Sequence, residues 1–322
     1  MSQTRRVAPE VVGAQPVAGP HRSRLSRARS FVDLKVSPYL LVSPYFILFA
    51  IFGAFPLGFT LWVSLHDWQL AGDKEYVGLE HYEFLLGNER FRTTVVNTLG
   101  MFVVATVPQL LLALMLANAL NKRLRGRLFL RLGVLIPMVT SVVAVAIVFS
   151  QLYGTEYGMI NWLLEKVGVD PIDWRASSTA SWVAISSMVD WRWTGYNAII
   201  YLAAMQAIPR GLYEAAIIDG ASSRQQFWHI TVPQLKPVIL FTVFISTIGG
   251  LTLFAEPLMF GSGRFDGGTT GQYQTVAMYI VQAFRERNNY GLAAAAAWLL
   301  FVIIIVVALA NYLVVNRIRE AK

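Results

Sequence analysis

Within residues 181–208 an apolar stretch is interrupted by Asp190, Trp191, Arg192, Trp193, Tyr196 and Asn197. Carboxylate, guanidinium and amide groups can hydrogen-bond a hydroxyl-rich ligand such as a sugar, and aromatic rings can stack on its C–H faces. On a helix, Trp193, Asn197 and Tyr201 recur at four-residue spacing along one face, with Asp190 three residues before Trp193 on the same side. This is binding chemistry rather than catalysis. No paired catalytic constellation shares a face, and with no cysteine there is no thiol nucleophile, cysteine metal site or disulfide. His21, His66, His81 and His229 lie far apart and suggest no metal site. No G-x-x-x-x-G-K-[ST] loop is present, so this chain has no phosphate cradle for ATP. The plainer reading makes Trp191 and Trp193 packing or interfacial residues, and Asp190 and Arg192 an intramembrane ion pair that fixes helix register.

A second stretch carries a different signal. Leu212, Ala215, Ala216 and Ile218 give a short amphipathic helix, which Gly220 can end because glycine tolerates the left-handed conformation just past a helix C-terminus. A second helix follows, with capping-box spacing at Ser222 and Gln225 or at Ser223 and Gln226, and Pro233 is expected to stop it. Two short helices around a glycine form a knob that suits a groove on a partner. The plainer alternative is a helical hairpin in a loop, with His229 in a packing or partner contact.

The elements that must position these stretches follow from composition. The 322 residues are 55% hydrophobic and 14% charged, enough for several spans of about 20 residues each. Six are expected, at residues 39–65, 93–120, 128–152, 181–208, 237–260 and 290–315. Residues 1–36 read as a disordered basic cytoplasmic tail, with an anionic-lipid anchor as its functional alternative. The first long apolar run starts only at Tyr39, too late for a secretory signal. Residues 37–316 form the transmembrane domain and 317–322 a cytoplasmic C-terminal tail. Most of the 27 Lys and Arg fall in the tail, the loop after the second span, residues 208–237 and the C-terminus, which places both termini in the cytoplasm of a cell-membrane protein. The same scatter over four pieces argues against nucleic acid despite the net charge of +8. Arg192 and Trp193 then lie on the order of 15 Å below the outer surface, where charges must face a protein interior or water. Met159 to Val167 read as a short helix at the outer surface, and residues 261–289 as an outer re-entrant or interfacial piece.

Glu214-Ala215-Ala216, three residues, Gly220, nine residues, Ile230, one residue, then Val232-Pro233 resembles the coupling motif of permease subunits of bacterial ABC importers. The departure is Val232 where that family usually has leucine. Tyr76-Val77-Gly78-Leu79, Tyr82, Leu85, Phe91 and Asn97-Thr98 resemble its carbohydrate-importing, maltose-permease-like members, and Pro137, Ser141, Val142-Val143, Gly158 and Asn161 do so more loosely. The resemblance implies an all-α, six-helix importer permease of type I. It implies docking on an ATPase through Glu214, Ala215, Ala216, Asp219, Gly220, Ile230 and Pro233, and substrate contact around Trp193, Gly195, Tyr196, Asn197 and Glu256. It further implies a second permease, two ATPase subunits holding ATP and Mg, an extracytoplasmic solute-binding protein and membrane lipid as partners. No cofactor or metal is expected on this chain. A glycerol phosphate or polyol cargo, and an ion-coupled transporter using Asp190, Arg192 and Glu256 as a relay, are the rival readings.

Overall fold

The computed structural model describes residues 37–69, 74–122 and 125–320, with the backbone alone at 37–38 and 314–320. The expected basic tail at 1–36 lies outside the described residues. The chain separates into two units, one ending at Gly58 and one running from Phe59. In chain order the helices are α1 (Ser37–Phe49), α2 (Phe55–Ser64), α3 (Glu80–Gly87), α4 (Glu89–Asn121), α5 (Arg127–Gly133), α6 (Ile136–Val139), α7 (Val142–Leu152) and α8 (Met159–Lys166). They continue with α9 (Ser178–Gln206), α10 (Arg210–Ile218), α11 (Ser223–Gln226), α12 (Val232–Leu251), α13 (Ala255–Phe260), α14 (Val276–Arg285) and α15 (Tyr290–Glu320). Two short strands, β1 (His66–Asp67) and β2 (Glu75–Tyr76), pair antiparallel with His66 opposite Tyr76.

Among the described residues four helical runs are long and apolar enough to cross a membrane: Tyr39–Ser64, Glu89–Asn121, Ser223–Leu251 and Tyr290–Leu313. A bent pair, Arg127–Val139 with Val142–Leu152, makes a fifth if it counts as one span. The remaining expected span is α9, whose 29 residues are long enough but whose polar cluster at 190–197 keeps it out of that apolar set. Continuous spans were expected at 128–152 and 237–260, and both are broken. The first bends by 90° at Thr140 and Ser141, after Pro137 at the start of α6. The second breaks at Thr252–Phe254 because Pro257 has no N–H for the Leu253 carbonyl, which instead accepts from the Thr275 hydroxyl at 2.8 Å.

Pro233 does not stop the helix that begins at Ser223 as the sequence suggested. The helical run continues from Ser223 to Leu251 through a π-helical turn at Phe227–Thr231. A π turn at Ala50–Ala54 likewise ends two residues before Pro56. In each case the carbonyl four residues before the proline lies in the wider turn, so the missing donor is absorbed without ending the helix.

The core of the larger unit is the pair α4 and α9. A Cβ at Gly100 would overlap the Trp182 ring, so glycine permits this close crossing. Met101, Ala105, Ala184, Ile185 and Val189 form one buried cluster along the pair, and Ala113, Ala117, Ala198, Tyr201 and Leu202 belong to another. Gly250 of α12 approaches Phe102 and Thr106 of α4. On α15, Ala293, Ala295 and Ala296 cluster with Val276, Tyr279 and Ala283 of α14, so the amphipathic segment expected at the interface buries its apolar face in protein. Met159–Lys166 is helical as expected, and its Asn161 ties the following turn by accepting from Ile172 N at 3.2 Å and Trp174 Nε1 at 2.9 Å.

Candidate functional site

Ser177 caps α9 by accepting from Ala180 N, and the helix then carries its polar cluster into the middle of the packed helices. Trp193, Tyr196 and Asn197 line one cavity of about 130 Å³ with Thr106 and Gln109 of α4 and Ser246, Gly249 and Gly250 of α12. Three of the five expected ligand residues therefore share a wall. Gly249 and Gly250 of α12 add no side chains to this lining; a Cβ at Gly249 would meet open space, and one at Gly250 would overlap Phe102. Tyr201 does not join this wall, because its hydroxyl bonds Thr242 Oγ1 at 2.6 Å and fixes α9 to α12.

The other two expected residues, Gly195 and Glu256, do not line this cavity. Gly195 is buried, and a Cβ there would overlap the Val134 carbonyl oxygen just after α5. The missing Cβ permits this close approach, and Gly195 is not among the residues lining the cavity. Glu256 is 6% exposed and accepts from Arg192 Nη1 at 3.0 Å. The ion pair expected between Asp190 and Arg192 is therefore replaced by one joining α9 to α13, since neighbours two apart on a helix diverge whereas α13 presents its carboxylate across the gap. Asp190 Oδ1, Arg192 Nε and Thr194 Oγ1 are buried without a hydrogen-bond partner among the described residues. Ionisable groups inside an apolar bundle are costly unless paired or hydrated, and Asp190 and Arg192 carry unmet hydrogen-bonding capacity here.

Gln109 and Thr106 were missed in the sequence. A polar amide amid the apolar run 99–120 was the signal that could have found Gln109. A second omission is a buried polar network around Gln274. Gln274 accepts from Arg90 Nε at 3.1 Å and donates to the Phe265 carbonyl and to Gln282 Oε1. Asn97 donates to the Gly271 and Gln274 carbonyls and accepts from Trp182 Nε1. These bonds hold the glycine-rich segment 261–275 against α4. Within it Arg264 holds the Asp266 carboxyl below the usual carboxylate range, opposed by burial and aided by the Gly268 amide.

The segment 210–233 is built as a braced projection. No residue of α10 is buried, and Ile218 is 86% exposed. Gly220 adopts φ +76°, while Ala221 N bonds Ala216 O at 2.8 Å and Gly220 N bonds Ile217 O at 3.0 Å. This is a Schellman closure of the helix end. Ser222 and Gln225 form the capping box of α11, which resolves the two spacings left open by the sequence. Tyr213 and Thr231 hydroxyls meet at 2.9 Å, and Gln226 Nε2 donates to the Ala221 carbonyl at 2.8 Å, so α10 is braced on the following helix. Glu214, Ala215, Asp219 and Gly220 are exposed, Ala216, Ile230 and Pro233 half-buried. Ile230 lies in the π turn and Pro233 at the start of α12.

A bundle of long apolar helices around a small polar cavity, carrying an exposed and braced helical projection, defines a polytopic membrane transport protein. The chain belongs to the family of binding-protein-dependent transport system inner membrane components, whose model matches residues 109–320. It is a membrane permease and not an enzyme. It is 36% identical to the lactose transport system permease protein LacF of Rhizobium radiobacter, over 89% of this chain and 95% of that protein. It is 33% identical to the trehalose/maltose transport system permease protein MalF of Thermococcus litoralis, over 88% and 94%. The arabinooligosaccharides transport system permease protein AraP of Halalkalibacterium halodurans is 31% identical over 92% and 93%. In fold it matches a chain of a bacterial ABC transporter involved in the import of alginate, with TM-score 0.73 and 24% identity, over 91% of this chain and 99% of that one.

Proposed function

We propose that this chain is one permease subunit of an ATP-binding-cassette importer and carries a carbohydrate, an oligosaccharide or disaccharide, delivered by a solute-binding protein. The observation that carries the reading is the projection at 210–233: exposed, closed by Gly220, and braced through Tyr213 and Thr231 onto the helix that continues into the bundle. Such a projection can pass a displacement from a docked ATPase into α12 without bending. ATP and Mg belong to two ATPase subunits, and alternating access reorients six spans, both termini cytoplasmic, around a shared pathway. The carbohydrate reading draws on relatives that transport lactose, trehalose or maltose, and arabinooligosaccharides. Trp193, Tyr196 and Asn197 supply ring faces and an amide for such a cargo. At about 130 Å³ their cavity is smaller than the ~300 Å³ lower range of ligand pockets, so a second, similar permease supplies the facing wall.

The test is uptake of radiolabelled sugars and of glycerol phosphate into membrane vesicles holding the chain and its co-purifying subunits. Uptake is expected to require ATP and binding protein and to be lost in Glu214→Ala with Gly220→Val. ATP-independent uptake that ignores these substitutions would sink the importer reading. ATP-driven uptake of glycerol phosphate but no sugar would change the cargo alone.

A further inference from the structure

A different cavity, about 780 Å³ in volume, lies between the end of α4, α5 and the approach to α10. Arg127 and Arg131, one turn apart on α5, share its wall with Arg210, while Asn121 and Gln206 add amides and Glu214 the one acid. Among the described residues none of these arginines is in an ion pair, and Arg131 Nε is buried without a hydrogen-bond partner. Three guanidinium groups from two separate helices converge on one space with a single carboxylate to offset them. Like charges held together in this way call for an anionic, multidentate occupant.

The surroundings of α5 narrow the choice of anion. Leu128 of the same helix also lines the cavity, whereas Phe129 and Leu132, outside that lining, are exposed, Phe129 at 80%. α5 thus offers guanidinium groups to the cavity and large apolar side chains outside it, at the end of an apolar span. A phosphate bearing acyl chains satisfies both, whereas a free phosphate satisfies only the first. We propose that this cavity is a binding site for the headgroup of an anionic phospholipid, held by Arg127, Arg131 and Arg210. Because Tyr213 and Glu214 of α10 line the same space, the lipid packs the junction between the bundle and the projecting segment.

The test reads lipid rather than transport, so its outcome is independent of the proposed cargo and coupling. The purified full-length chain with its co-purifying subunits, delipidated in neutral detergent, is titrated with phosphatidylglycerol and with phosphatidylcholine, and bound lipid is counted by native mass spectrometry. Phosphatidylglycerol is expected to bind preferentially. Arg127→Gln with Arg131→Gln should weaken it roughly thirtyfold, from about 1 kcal/mol per basic residue. Arg127→Lys with Arg131→Lys should stay within a few-fold of wild type, which guards against a folding defect. Equal binding of the two lipids, or unchanged affinity in the glutamine pair, overturns the proposal. Displacement of the lipid by inorganic phosphate at comparable affinity overturns it too, and assigns the arginines to a free anion.

Discussion

Arg192 and Glu256 carry opposite charges inside a bundle of apolar helices, and each tolerates that position because of the other. Removing one partner leaves an uncompensated buried charge. Glu256→Ala is therefore expected to destabilise the chain by about 3–5 kcal/mol, and Arg192→Met combined with Glu256→Leu to recover most of that loss. Thermal unfolding in detergent checks both, and wild-type stability of the single variant would mean that water already solvates Arg192. Gly195→Ala sets a methyl group against the Val134 carbonyl, and overpacking of this kind typically costs about 1–3 kcal/mol. The same unfolding measurement should register it, with cavity-lining Asn197→Ala as a milder comparison. Trp193 and Asn197 share a face that helical periodicity predicts, Tyr196 was expected only from the resemblance, and Tyr201, on the same predicted face, bonds Thr242 instead. The contacts of Gly195 and Glu256 were not legible, because a helical period says which face a residue occupies but not what crosses that face. The partner of Arg192 is 64 positions away in the sequence, a tertiary fact that no local pattern holds.

The projection at 210–233 owes its shape to one backbone conformation. At Gly220 a Cβ would meet nothing within 4 Å, but φ is +76°, so a substitution is opposed by local strain and not by packing. Gly220→Val should open the Schellman closure at a cost of about 1–2 kcal/mol, while Gly220→Asn, which visits the left-handed region more readily, should keep it. Binding of the co-purified ATPase and substrate-stimulated ATP hydrolysis are expected to fall in the valine variant and persist in the asparagine one. Equal behaviour of the two would remove the closure from the mechanism. The two helices and the glycine were visible in the sequence through amphipathicity and capping. The continuation past Pro233 was not, because a π turn is a response to the proline and has no composition of its own. A second element, the glycine-rich segment 261–275, is held partly by Asp266, whose carboxyl is depressed by Arg264. A depressed carboxylate stabilises at pH above its unfolded value of ~3.9 and loses that contribution as pH falls through the lower folded value. Hydrogen exchange in this segment should accordingly rise below about pH 4 in the wild type and be less pH-dependent in Asp266→Asn.

For the whole molecule the open question is which helices cross the membrane, and α9 decides it. Among the described residues five crossings are apolar enough to be recognised by composition if the bent pair is one span, and an odd number would put the segments before the first and after the last on opposite sides. The polarity that removes α9 from that set does not exclude a crossing, because charged groups at such depth need a protein or water surrounding and Arg192 finds one in Glu256 of α13. If α9 crosses, the segments flanking it must face opposite compartments. The chain has no cysteine, so single cysteines can be placed on a silent background. Tyr157 and Ile218 flank α9 and are 95% and 86% exposed. With a membrane-impermeant maleimide, Tyr157→Cys should label in intact cells, and Ile218→Cys only after permeabilisation and less once the ATPase subunits are bound. Labelling of both from the outside would make α9 a buried helix that does not cross. It would also separate the projection from any cytoplasmic ATPase, so one labelling pattern tests the topology and the coupling surface together.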